Sequence, residues 1–125
     1  MHTNFSTAAT RKPGTGIVAI HAAIEALAQR HGFHIDHYGE GLSDRLTGLH
    51  ETCDIDTFKS GVAHRGASIR IPQSVAAKRC GYFEDRRPGA NADPYLVSAC
   101  LVATVSGAVE AFAGRSTRNI AIAAE

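Results

Sequence analysis

A chain of 125 residues, 44% hydrophobic and 20% charged, has the length and make-up of one globular domain with a modest core, which excludes a disordered tail. Its formal charge is +1 with acids and bases interleaved, so neither a nucleic-acid surface nor a polybasic membrane patch is expected. Three widely spaced cysteines, Cys53, Cys80 and Cys100, suggest neither a disulfide framework nor a paired-cysteine metal knuckle, and a reducing, cytoplasmic setting is expected.

The chain opens with "MHTNFSTAAT", a histidine, an amide and a run of hydroxyls in a place where most domains fray. No basic segment followed by an apolar run is seen there, so no secretory signal is predicted. "RKPGTG" is turn chemistry, and behind it Ile17, Ile20, Ile24 and Leu27 recur at three- and four-residue steps, which predicts an amphipathic helix over 16–30. Gly32 follows the last apolar position and is expected to stop that helix as a left-handed cap.

From His34 to about Ile71 the pattern becomes short apolar pieces punctuated by glycine, read as short strands and ordered loops. Ile69 and Ile71 alternate with Ser68 and Arg70, which is strand periodicity, and Pro72 ends it. "GYFEDRRPG" reads as a second strand running into a loop. In "NADPYLVSACLVATVSGAVEAFAG", Asp93 is a side-chain cap and Pro94 a first helical residue, predicting a buried helix over 94–112. The uncharged stretch from Pro94 to Val109 is shorter than the roughly 20 apolar residues a bilayer needs and contains Ser98, Thr104 and Ser106, so no membrane partner is expected. Residues 114–125 show no periodicity and are expected to form a loose tail. There is no internal repeat. The predicted fold class is α+β: antiparallel strands with the two main helices packed on one face.

Charged residues collect in the irregular middle of the chain: Arg45, Glu51, Arg65, Arg70, Glu84, Arg86 and Arg87. Arginines beside glycines suit phosphate or carboxylate oxygens, against surface ion pairing within "EDRR" and "SDR" as the simpler account on composition alone. Arg65 and Arg70 are an odd number of positions apart, so a regular strand sends them to opposite faces unless Gly66 hosts a bulge. His2 and Glu84 are candidate ligands for a hard divalent cation, against a frayed terminal histidine as the simpler account. His31, His34 and His37 invite a metal reading or form a solvated connection. Cys53, beside His50 and Glu51, suits a nucleophile, although no oxyanion donor or orienting partner accompanies it.

Four segments, "HTNFST", "YGEGLSDRLTGLHET", "GVAHRGASIR" and "GYFEDRRPGANADPY", occur in the order and approximate spacing of glutamine synthetase. The chain resembles the eukaryotic-type class of that family over about Met1 to Val105. The resemblance implies that residues 1–113 are part of a glutamine synthetase catalytic domain, preceded in the family by a β-grasp domain and an acidic strand that supplies most metal-binding carboxylates. It implies ATP-dependent ligation of ammonia to glutamate through γ-glutamyl phosphate, with ATP as substrate and magnesium or manganese ions gathering the phosphates.

Carried across by motif, His2 and Glu84 match metal ligands, and Asn4, Phe5, Ser6, Tyr82 and Phe83 match the nucleotide site. Arg65 and Arg70 match arginines that meet the transferring phosphate and the nucleotide. Arg45 and Arg86 match those that hold glutamate, and Glu51 matches the flap carboxylate that takes a proton from ammonium. Two departures stand out: His64 occupies the place of a usual asparagine, and Cys53-Asp54 that of a usual Ala-Ser. Because the upstream carboxylates are missing, the isolated chain is expected to be inactive or nearly so. Expected partners are further copies of the chain or longer synthetase subunits. The alternatives are a non-catalytic nucleotide-binding or subunit-associating remnant, and a ligase joining glutamate to another amine.

Overall fold

Turn residues and apolar spacing divide the chain into short elements. In a computed structural model that describes residues 1–112, these are β1 (Thr3–Phe5), α1 (Gly16–Gln29), α2 (His31–His37), α3 (Leu42–Arg45), β2 (Ser60–Val62), β3 (Ile69–Ile71), α4 (Gln73–Lys78), β4 (Phe83–Asp85) and α5 (Pro94–Val105). The stretch expected to be a loose tail, 114–125, lies outside the described residues.

The apolar stripe of α1 is the predicted one: Ile17, Ile20, Ala23, Ile24 and Leu27 are all buried. Each of the isoleucines and the leucine contributes about 1.5–3 kcal/mol by leaving water. The helix does not stop at Gly32. It ends at Gln29, Arg30 closes it, and α2 follows directly with Gly32 inside it. The region read as strands and loops from His34 onward therefore begins with helix, and α3 adds another turn behind Gly41, whose φ of 67° is left-handed.

Asp93 caps α5 as predicted, its Oδ1 accepting from the amides of Tyr95 (2.9 Å) and Leu96 (3.4 Å). The helix is shorter than predicted. It ends at Val105, and Gly107, at φ 74°, turns the chain before residues 109–112 become helical again. Apolar periodicity alone does not register this break, because the residues on both sides of it are apolar.

The four strands form one sheet in the order β1-β4-β3-β2. β1 with β4 and β4 with β3 are antiparallel as expected, whereas β2 runs parallel to β3. Such a pair ordinarily needs a long crossover. Here each strand is three residues long, so the return path is only about 10 Å, well within the reach of the connecting residues 63–68. Ala63, at φ 54°, starts that return. The architecture is α+β, with a mixed rather than an antiparallel sheet.

Strand alternation decides which side chains meet the helices. Ile69 and Ile71 of β3 and Phe83 and Asp85 of β4 are buried, while Arg70 and Glu84 between them face the other way. The buried side joins α1, α2 and α5 in one core. A largely apolar cavity of about 560 Å³ opens there, lined by Phe5, Ala19, Ala22, Val102 and Val105 among others. The charged chemistry lies on the opposite face.

Candidate functional site

Asn4, Glu84, Arg70 and Gly61 are register neighbours across the sheet, so three polar side chains line up on the face turned away from the helices. His2 and Arg86, each two residues along from one of these, continue the same face. Glu84 is the hub. Its Oε1 lies 3.1 Å from His2 Nδ1, and its Oε2 lies 3.2 Å from Arg86 and 3.6 Å from Arg70. Arg45 reaches in from the end of α3, where one terminal nitrogen donates to the carbonyls of Arg86, Arg87 and Pro88 at 3.0, 2.9 and 2.8 Å. A pocket of about 220 Å³ lies between these groups, lined by His2, Arg45, Glu51, Thr52, Cys53 and Arg86 among others.

The arginines are not satisfied by these contacts. The Nε atoms of Arg45, Arg70 and Arg86 are buried and have no hydrogen-bond partner. A buried donor without an acceptor is costly, and with Arg70 and Arg86 sharing one carboxylate and Arg45 held only by backbone carbonyls, positive charge is in surplus. The arrangement is suited to binding carboxylate or phosphate oxygens. Burial first, and the nearby charge of Arg86 second, hold His2 below the ordinary histidine range despite Glu84.

Glu51 stands at the rim on a tight loop. Gly48, His50 and Glu51 all have positive φ, at 78°, 52° and 61°. For the two non-glycine residues this costs about 1–2 kcal/mol each. The loop is anchored by its backbone, since the Glu51 carbonyl accepts from Arg86 at 3.2 Å. The Glu51 carboxylate is exposed and pairs with Arg65 at 3.4 Å. Arg65 lies in the turn before β3 and not on the strand, so no bulge at Gly66 is needed to bring it round.

The other sequence candidates fall elsewhere. Phe5 and Phe83 stack at 5.6 Å on the helix-facing side, with Phe83 fully buried, and Ser6 accepts from Arg11 Nε beside the large cavity. Tyr82 is half-buried. Cys53 is buried and its thiol is pushed up by that burial, which counts against the nucleophile reading. Among the described residues no group of three or more histidine, cysteine or acidic side chains gathers as a metal site. His2 and Glu84 provide two donors, already paired with each other, against the roughly six ligands of a hard divalent cation. By themselves these residues do not fit such an ion.

The three histidines form neither a metal site nor a solvated connection. His34 is fully buried and belongs to a polar network running behind the charged face. His34 Nε2 lies 2.7 Å from Thr104 Oγ1 and its Nδ1 lies 2.5 Å from Tyr38 Oη. Tyr38 donates to Asp85 Oδ2 at 2.8 Å, and Arg87 grips both oxygens of Asp85 at 2.9 and 2.8 Å. His31 accepts from Arg87 at 3.0 Å. Asp85 and Arg87 are thus a fully buried pair and not the surface pair that "EDRR" offered. Strand alternation was the available signal: if Glu84 and Arg86 face the open side, Asp85 and Arg87 face the core.

No protein-family model matches the chain. It is similar to the glutamine synthetase of Yarrowia lipolytica, 57% identical over 108 residues that make up 86% of this chain and 29% of the relative. The Saccharomyces cerevisiae glutamine synthetase is 55% identical over 87% of this chain and 29% of its own length. The chloroplastic glutamine synthetase of Chlamydomonas reinhardtii is 59% identical over 83% of this chain and 27% of its own length. The chain therefore spans less than a third of the curated relatives it matches. Among the described residues no helix is long and apolar enough to cross a membrane.

Proposed function

We propose, because the chain is homologous to one stretch of eukaryotic-type glutamine synthetase, that its arginine-lined face serves the ATP-dependent ligation of ammonia to glutamate. The observation that carries this reading is the set of three buried guanidinium Nε groups without a hydrogen-bond partner, on Arg45, Arg70 and Arg86. Phosphoryl transfer needs little covalent help from protein, and charge neutralisation with positioning dominates.

In this reading Arg45 and Arg86 hold the carboxylates of glutamate, and Arg65 and Arg70 meet the terminal phosphoryl group. A γ-carboxylate oxygen of glutamate attacks that phosphorus and ADP leaves. Ammonia then attacks the acyl phosphate carbon, phosphate leaves, and the proton lost from nitrogen passes to Glu51. Asn4, Ser6 and Tyr82 flank the nucleotide, with Phe5 and Phe83 shaping the sheet beneath it. His2 and Glu84 would contribute two donors to a magnesium or manganese ion whose role is to neutralise phosphate charge. Association with further copies or with longer synthetase chains, and a cytoplasmic setting, belong to the same proposal. The exposed Tyr95 and Val102 on the uncharged helix α5 support the first, and the unpaired thiols support the second.

The test is calorimetric titration of the 125-residue chain with L-glutamate and with ATP, for the native chain and for Arg86→Ala. Binding that is lost in the variant is expected, without turnover in a γ-glutamyl transfer assay, because the donor set for the metal is incomplete. Absence of binding by the native chain, or binding indifferent to Arg86→Ala, would overturn the proposal.

A further inference from the structure

The segment 85–89 joins the charged face to the core, and its conformation is imposed from behind. Arg86 sits between Asp85 and Arg87, which are locked to each other by two side-chain bonds and by the Arg87 amide on Asp85 Oδ1 at 3.1 Å. The carbonyls of the same segment hold Arg45. Both arginines therefore take their place from one short stretch of backbone. Tyr38 grips this stretch at both ends: its hydroxyl donates to Asp85 at 2.8 Å, and its carbonyl accepts from the Gly89 amide at 2.8 Å.

The hydrogen bonds behind Tyr38 have only one consistent direction. Arg87 is a pure donor, so Asp85 is the acceptor, and the single Tyr38 hydroxyl proton goes to it. Tyr38 Oη must then accept from His34 Nδ1–H, which leaves His34 Nε2 to accept from the Thr104 hydroxyl. Every donor from α5 through α2 to β4 points towards the Asp85 carboxylate. Burial and the charge of Arg87 lower His34 to about 3, so the imidazole is neutral, as this direction of bonds requires.

We propose that Tyr38, aligned by His34 and Thr104, is a positioning residue for the anion site, setting the guanidiniums of Arg45 and Arg86 through the segment 85–89. This rests on the function proposed above only in naming what the arginines bind. The relay itself touches no ligand, and its effect passes through backbone.

The experiment uses the full 125-residue chain labelled with 15N, following the Nε–H resonances of Arg45 and Arg86 in the native protein, in Tyr38→Phe and in Val75→Ala. Val75 is a buried core residue of α4 outside the relay and controls for general loss of stability. Each protein is then titrated with L-glutamate and, separately, with inorganic phosphate. Tyr38→Phe is expected to shift or broaden both arginine resonances and to weaken binding about five-fold, the scale of one net hydrogen bond, while Val75→Ala lowers the melting temperature without moving them.

If Tyr38→Phe does not fold, Thr104→Val, which removes only the outermost donor, is expected to move the same resonances less. Unchanged Arg45 and Arg86 resonances in a folded relay variant overturn the proposal, whether or not the chain binds either anion. Shifted resonances in a chain that binds neither anion support the positioning role and count against the proposed function.

Discussion

Replacing Asp85 by alanine removes one half of a pair in which both side chains are fully buried. The loss strands the Arg87 guanidinium in the core with His31 as its remaining side-chain hydrogen-bond partner, and leaves the Tyr38 hydroxyl without an acceptor. Breaking a buried pair from one side costs about 3–5 kcal/mol, because an uncompensated charge remains. A domain of this size has about 5–15 kcal/mol in total, so Asp85→Ala forfeits a large part of the stability. Removing both charges acts differently. In Asp85→Ala/Arg87→Met no charge is stranded, and the residual cost is that of unpaired Tyr38 and His31, about 1–3 kcal/mol each at most. The double variant is therefore expected to be more stable than the sum of its single variants allows, by about 2 kcal/mol or more. Urea titrations followed by circular dichroism at pH 7, with unchanged slopes, measure all the members of the cycle. An Asp85→Ala cost below about 1 kcal/mol, or costs that simply add, would refute the reasoning.

Three further outcomes are expected. His34 is lowered from 6.5 to about 3 by burial and by Arg87, so the unfolded chain binds a proton that the folded one refuses. Its contribution is fully present above pH 6.5 and is lost as pH falls from there towards 3, at up to about 1.4 kcal/mol per pH unit. His34→Gln should flatten that part of the stability profile measured by thermal melts, and an equal slope in both proteins would contradict the assignment. Burial pushes Cys53 up, and Cys100 up to about 11, whereas Cys80 is only half-buried, so one thiol should react promptly with an aromatic disulfide and two only on unfolding. Gly16→Ala would gain about 1 kcal/mol of helix propensity, but the added Cβ would sit 2.0 Å from the Thr10 carbonyl oxygen. A net loss of about 1–3 kcal/mol is expected in chemical denaturation, and a stabilised variant would contradict this geometry.

Local chemistry made much of the fold legible. The α1 stripe, the Asp93–Pro94 start of α5 and the alternation in β3 and β4 are properties of neighbouring residues, and each element forms where its own pattern places it. Capping and periodicity act over one or two turns, so sequence reasoning reaches them. It failed where two patterns competed. Gly32 looks like a terminator, yet His34, which belongs to the same turn of chain, gains buried partners on β4 and α5 by way of Tyr38 and Thr104, and the helix is kept. Gly107 was hidden inside an apolar run that extends past it on both sides.

The candidate site divides in the same way. That arginines and glycines collect in the middle of the chain is visible in the order of residues, and the motif resemblance to glutamine synthetase is a property of that order alone. Which arginines share a pocket is not. Arg45 and Arg86 share one because α3 packs against the segment after β4, and Arg70 meets Arg86 on Glu84 because β3 pairs with β4 in one register. A shift of that register by one residue would turn Glu84 and Arg86 inward and expose Asp85 and Arg87. Composition and motif thus identify the chemistry available to this protein. The long-range pairing of strands, which no local pattern encodes, decides which charges lie on the face of the sheet turned away from the helices and which are buried behind it.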